Sequence, residues 1–282
     1  MTGHSAEART ADGAGLGWYL YGVLDPAAER NDVAAGPSVD PDHEVMVLVE
    51  GRLAALASEV SLDEFNETVL PERLNDPAWL EAKIRAHEQV LEHALDKTAV
   101  VPFRFCTVYR SEAELRSFLA EKGQLLEDAL ASVRGKVERG VKAFADRDAL
   151  SAGLGTRSDA VREQEQRVEA AQGGRKYMEE RRLQQLLDDE LARARSDYAS
   201  SIHARLLEAA EDGVLNPPQS PELSGRDEQM LLNGAYLVPA AAGDFDAAFE
   251  ALAREYGALG VTLELTGPWP PYNFVPRELG ES

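Results

Sequence analysis

The sequence predicts an α+β protein with an N-terminal α+β domain followed by a C-terminal ferredoxin-like domain that carries a long amphipathic helix. Three observations predict it. Strand-like runs and helical periods alternate along most of the chain. The second half reads β-α-β-β-α-β, the order of a split βαβ unit. At 282 residues the chain suits one large domain or two small ones.

The first predicted element is 18–24 (WYLYGVL), apolar and aromatic on both faces, which suits a strand buried within a sheet. Residues 25–43 are rich in Asp, Pro, Ala and Gly without periodicity and predict a long surface loop. Val45 to Val49, the pair Glu50-Gly51, and Arg52 to Val60 then read as two strands joined in a hairpin. Asp76 as a cap and Pro77 at the first helical position open a helix over 76–96, with Leu80, Ile84, His87, Leu91 and Leu95 at helical spacing. Ala99 to Val101 is a short strand. Ser111 with Glu114 forms a capping box ahead of a second long helix carrying Leu115, Leu119, Leu126 and Leu130.

Lys136 to Phe144 alternates, with Val137, Val141 and Ala143 opposed by Lys136, Glu138 and Lys142, as a half-buried strand does. Residues 146–174 carry charges of both signs and several glycines without an apolar stripe, which predicts a loop or a frayed helix. From Tyr177 to Leu206 apolar positions keep a helical period for about eight turns. A short strand at Val214-Leu215, a proline-rich connector over 216–221, a strand over 228–239, a helix over 244–256 and a strand over 261–266 complete the order. The resulting division is a disordered lead-in at 1–17, domains at 18–134 and 135–266, and a Pro/aromatic tail at 267–282.

Charge narrows the function. The 29 Lys+Arg against 50 Asp+Glu give a formal charge of -21, a field that repels phosphate backbones and anionic lipid surfaces. The expectation is no nucleic acid and no membrane. Apolar runs fall far short of the roughly 20 residues that span a bilayer, and the first 17 residues lack the apolar core of a signal peptide. One cysteine, Cys106, makes neither an internal disulfide nor a cysteine-based zinc site, and suits a reducing cytoplasm.

No catalytic constellation emerges. His87 and His93 are six apart, so they point about 120° away from each other on a helix and do not share a metal, and they read as surface or boundary histidines. Glu88 and Glu92 share a face with Lys83 and Arg85 beside them, as on a solvated helix. The glycines at 153, 155, 173 and 174 lack the flanking strand and Lys-Ser/Thr of a phosphate loop. Cys106 lies near Arg104, a neighbour that lowers a thiol pKa, yet it reads as a small core residue. The expectation is no enzyme, no cofactor and no metal. An enzyme or small-molecule-binding protein on a ferredoxin-like scaffold is the alternative.

Six blocks in order carry a family resemblance: WYLYGVL at 18–24, RAHEQVLEHAL at 85–95, VVPFRFCTVY at 100–109, KVERGVKAF at 136–144, LSGRDEQMLLNGAYLV at 223–238 and LELTGPWPPYNFV at 263–275. Together they resemble the GvpL/GvpF family of gas vesicle proteins over 18–275. Two departures stand out: Cys106 where the family usually has a small residue such as glycine, and a longer 146–174 segment. The resemblance implies the two-domain α+β architecture read above. It also implies a non-enzymatic accessory or minor structural role in gas vesicle assembly, in the cytoplasm and at the vesicle, with the hydrophobic shell protein GvpA and other accessory Gvp proteins as partners.

Two segments are candidate partner-binding surfaces. Gly267 to Phe274 (GPWPPYNF) has three prolines that stiffen it and Trp269, Tyr272 and Phe274 as large apolar bodies, so it is either a tail pinned across its own domain or an exposed strap. Phe103, Arg104 and Phe105 follow the short strand, with the two rings straddling the pleat around the arginine. Arg104 either reaches a partner carboxylate or closes a loop on Glu112 or Glu114.

Overall fold

A computed structural model of the chain describes residues 15–26, 33, 34, 36–220, 225, 226, 228–241 and 243–279. The chain forms two compact units: Met1–Arg134 together with Phe274–Ser282, and Gly135–Asn273. Most of the expected lead-in lies outside the described residues, but Leu16 and Gly17 already belong to the first strand.

In the first unit, β1 (Leu16–Leu24), β2 (Val45–Glu50) and β3 (Leu53–Ser61) form an antiparallel sheet in the order β2-β3-β1-β4, where β4 is Val100–Pro102. A two-residue strand β5 (Val108–Tyr109) pairs with the start of β1. Strand β1 is buried on both faces because helices cover both. A bulge between Leu20 and Gly22 shifts its phase, so Val23 rejoins the core of Trp18 and Leu20. That core is completed by Leu115 and Leu119 of α4 (Glu112–Glu121), by Leu126, Leu130 and Val133 of α5 (Gly123–Val133), and by Leu279 from the C-terminal segment. The second helix expected as one piece is thus two, divided at Lys122.

Two short helices the sequence reading missed, α1 (Leu62–Phe65) and α2 (Leu70–Arg73), precede α3 (Pro77–Leu95). Asp76 caps α3 as expected, its carboxylate accepting from the N–H groups of Ala78 and Trp79 at 3.0 and 3.3 Å. The buried face of α3 is His87, Val90, Leu91 and Ala94, whereas Ile84 is exposed. The expectation of a surface or boundary His87 is therefore corrected: it is 1% exposed, because β1 presents two tyrosines there rather than aliphatic side chains.

In the second unit, β6 (Lys136–Ala145), β7 (Asp212–Leu215), β8 (Gln229–Pro239) and β9 (Val261–Trp269) form an antiparallel sheet in the order β7-β8-β6-β9. Between β6 and β7 lie α6 (Arg147–Arg157), α7 (Asp159–Ala170) and the 34-residue α8 (Gly174–Leu207), and α9 (Gly243–Gly257) joins β8 to β9. The segment expected as a loop or frayed helix is two helices. A narrow interface explains why no stripe was visible: α7 buries only Val161 and Gln164, and the Gln164 amide donates to the backbone carbonyl and carboxylate of Glu179 on α8, both at 3.0 Å. The last strand runs three residues beyond expectation, to Trp269, which pairs with Glu138 past an irregularity in the register, so the expected tail begins inside the strand.

Candidate functional site

Residues 103–107 connect β4 to β5 and build one wall of a groove in the first unit. Phe103 stays on the sheet, its N–H donating to the Tyr21 carbonyl at 2.8 Å, and its ring packs edge-on to Phe118 with centroids 5.6 Å apart. At 3% exposure Phe103 is a core residue, which removes it from any docking surface. Phe105 turns to the opposite side, half-buried, 5.9 Å from the His87 ring and 6.3 Å from Trp79. The two rings part because the strand ends at Pro102 and the chain turns, not because a pleat sets them on opposite faces. Arg104 between them is exposed.

A tight turn follows. The Arg104 carbonyl accepts from the Thr107 N–H at 3.2 Å and the Thr107 hydroxyl at 2.8 Å, and Cys106 adopts φ 66°, the left-handed region that disfavours a side chain. The Cys106 N–H donates to the Tyr19 hydroxyl at 3.0 Å. That hydroxyl also meets His87 Nδ1 at 2.9 Å, and the Phe103 backbone bonds to the same ring. Burial pushes the His87 pKa down to about 4 against the weaker opposing effect of Phe103. Nδ1 of the neutral ring accepts from Tyr19, so the turn is hung from the sheet through a buried hydroxyl. Burial pushes the Cys106 thiol up to about 12, outweighing the lowering by Lys83, so Arg104 does not activate it.

Facing the turn, α1 and α2 with the residues between them form the other wall of a groove of about 1140 Å³. Phe65, Val69, Leu70, Phe105 and Val108 give it apolar walls, and Glu67, Arg104, Arg110 and Glu114 bring charge to it. Arg110 lies 3.4 Å from Glu67, and the Arg110 N–H donates to Glu114 at 2.7 Å. Glu112 pairs with Arg116 at 2.7 Å. The pairing of Arg104 with Glu112 or Glu114 is thus not formed, and among the described residues Arg104 has no ion-pair partner. The sequence reading missed the wall at 62–70. Its signals were Ser61, whose hydroxyl caps α1 by accepting from the Asp63 N–H at 3.3 Å, and Asn66, whose side-chain oxygen accepts from Thr68 and Val69.

In the second unit, Trp269 ends β9 opposite Glu138 and is 39% exposed. The chain then turns through a 3-10 segment, Tyr272–Phe274, whose last residue begins the segment belonging to the first unit; Tyr272 and Phe274 are both part-buried. Asn273 fastens that turn to Glu138, its N–H at 2.9 Å and its amide at 2.6 Å from the carboxylate. Glu138 is 7% exposed, and its burial raises its pKa although the Asn273 bonds work the other way. The strap is pinned to its own chain at Asn273, and Trp269 is its exposed large side chain. Among the described residues, no group of three or more His, Cys, Asp or Glu side chains is placed to hold a metal, and no helix is long and apolar enough to cross a membrane.

Comparison with known proteins agrees along the whole length. The family model for gas vesicle synthesis protein GvpL/GvpF matches residues 17–276. The chain is 33% identical over 259 residues to gas vesicle protein L of a Streptomyces species, covering 91% of each chain. It is 26% identical over 265 residues to gas vesicle protein L1 of Halobacterium salinarum, covering 92% of this chain and 90% of that one. The crystal structure of gas vesicle protein GvpF from Anabaena superposes with a TM-score of 0.69 at 20% identity over 92% of this chain and 98% of that one, a likeness of fold. The chain belongs to the GvpL/GvpF family of gas vesicle synthesis proteins.

Proposed function

We propose that this protein is a non-enzymatic accessory or minor structural component of gas vesicle assembly, acting in the cytoplasm and at the vesicle, that binds the hydrophobic shell protein GvpA and other accessory Gvp proteins. The observation that carries this reading is the family match over 17–276. Physical chemistry supports it. A shell protein that builds a water-repelling wall exposes apolar surface before assembly, and such surface aggregates unless covered. A cover needs an apolar patch of its own on a body whose charge resists self-association, and -21 supplies that charge. The groove beside Arg104 and Phe105 and the exposed Trp269 are the apolar surfaces proposed to meet partners, with Tyr272 and Phe274 supporting the strap.

An enzyme reading needs Arg104, His87 and a carboxylate in one pocket. His87 is instead sealed in the core with its ring bonded to Tyr19 and Phe103, so nothing in the geometry favours that alternative. The test is retention of purified shell protein by the immobilised chain, compared with Arg104→Ala and Trp269→Ala variants shown by thermal unfolding to be folded. Retention by the wild type, weakened in a folded variant, is the expected result. A folded wild type that retains no shell protein overturns direct shell binding.

A further inference from the structure

We propose that the groove lined by 104–110 takes an extended apolar segment of a partner protein bearing a single carboxylate, with Arg104 holding the carboxylate and Val108 pairing with the segment's backbone. This rests on the partner-binding reading above and specifies the chemistry of what binds at one of its surfaces.

The backbone supplies the first argument. Among the described residues strand β5 pairs with β1 alone, so its other side is a sheet edge. The Leu20 N–H donates to the Thr107 carbonyl at 2.9 Å, and Tyr19 stands opposite Val108. Backbone groups of successive strand residues turn to alternate sides, so the N–H and carbonyl of Val108 point away from β1. On that same outer side the next outward N–H, that of Arg110, already takes a carboxylate oxygen of Glu114 at 2.7 Å. Glu114 thus satisfies the rung that an added strand would otherwise need, and Val108 is the rung left for a partner. Main-chain pairing at such an edge gives affinity, while pockets for alternate side chains give specificity.

The walls supply the second. Phe65, Val69, Leu70 and Phe105 line a space of about 1140 Å³, above the roughly 300–1,000 Å³ of small-molecule sites. The dimensions suit several residues of peptide.

Charge supplies the third. Arg110 has Glu67 in front of it, whereas Arg104 has no ion-pair partner among the described residues. Its planar guanidinium offers paired donors that match a carboxylate. A run of acidic residues would be opposed by the -21 body, so one carboxylate among apolar side chains is the pattern that satisfies both the local cation and the overall field. A basic residue at the same place meets repulsion from Arg104.

The test uses the full chain and three fluorescein-labelled eight-residue peptides of alternating valine and threonine with Glu, Gln or Lys at the centre, read by fluorescence anisotropy. The Glu peptide is expected to bind about tenfold tighter than the Gln peptide, with the Lys peptide weakest. Arg104→Ala should level Glu and Gln, and Arg104→Glu should favour Lys. Val69→Glu should weaken all three, and N-methylation along one backbone edge of the Glu peptide should abolish its binding. Equal affinity for Glu and Gln peptides, an order unchanged by Arg104→Glu, or binding of none of the three overturns the proposal. Shell protein retained by a chain that shows no peptide preference overturns this site chemistry alone and leaves the accessory role standing.

Discussion

Each unit contains a tyrosine whose hydroxyl meets a histidine Nδ1 at 2.9 Å, and the two pairs differ in what surrounds the imidazole. Tyr19 and His87 are both sealed, at 0% and 1% exposure, and the Tyr19 hydroxyl also receives the N–H of Cys106. Tyr236 is equally buried, but His203 on α8 is only partly so, and burial lowers its pKa. The same bond therefore does two jobs. In the first unit it ties a helix, a central strand and the groove-forming turn into one buried network. In the second it fastens a long helix to its sheet at a wet margin.

Removing each histidine tests that difference most strongly. His87→Ala leaves a cavity and strips the Tyr19 hydroxyl and the Phe103 backbone of a buried partner, an expected loss of about 4 kcal/mol in denaturant unfolding. His203→Ala should cost about 1 kcal/mol, since water replaces the lost partner. Equal losses would break the comparison.

Acid is the next largest lever. His87 has a folded pKa of about 4 against an ordinary 6.5, so between these values the unfolded chain binds a proton that the folded chain refuses. Stability is then full above about pH 6.5 and falls as pH drops toward 4, by roughly 3 kcal/mol in all. His87→Gln should flatten that part of the profile while His203→Gln leaves most of it. A profile unchanged by His87→Gln removes this account of acid sensitivity.

Smaller effects sharpen the picture around the two anchors. Cys106→Gly relieves the left-handed strain at φ 66° and should stabilise by about 1 kcal/mol, less what the freer unfolded chain regains. A lower unfolding midpoint would show that the buried thiol contributes more packing than the turn costs. Comparable in size is Glu138→Gln, expected to cost about 1 kcal/mol near neutral pH, because both carboxylate oxygens accept from Asn273 and an amide accepts through only one, leaving the other donor facing an NH2 group. The raised pKa of that carboxyl means the folded state holds the proton more tightly, so stability contributed by Glu138 is present at low pH and lost as pH rises through the folded value. A titration in which the wild type gains on Glu138→Gln across that range contradicts this.

Legibility in the sequence followed the size of the buried face. Strand β1, the hairpin (whose turn falls at Gly51-Arg52, one residue past the expected Glu50-Gly51), α3 with its Asp76 cap, α8 and β9 were readable because each carries a continuous or periodic apolar pattern or a cap with a physical mechanism. Helices α6 and α7 were not, since α7 buries only two residues against α8 and one of these is a glutamine. At the candidate site, strand alternation puts Phe103 and Phe105, two apart, on one face; they part because the strand ends at Pro102 and the chain turns over Arg104–Thr107, a turn the pattern does not announce, and the sealing of Phe103 depends on Phe118, distant in sequence. The groove's second wall was invisible because four-residue helices have no period to detect. His87 was misplaced for a related reason: its partner is a tyrosine 68 positions away, and one helix's pattern does not announce a polar core.

The placement of Leu279, 1% exposed in the core of the first unit, bears on the way this chain is made. The N-terminal core is interrupted in sequence by the whole of the second unit and receives Leu279 only after that unit has been synthesised. At about 5–20 residues per second, roughly ten seconds separate the emergence of Arg134 from that of Leu279. During this interval the half made first waits for Leu279 while the second unit gains its strands one by one, the last ending at Trp269. Vectorial synthesis thus finishes the inserted unit before the unit that hosts it.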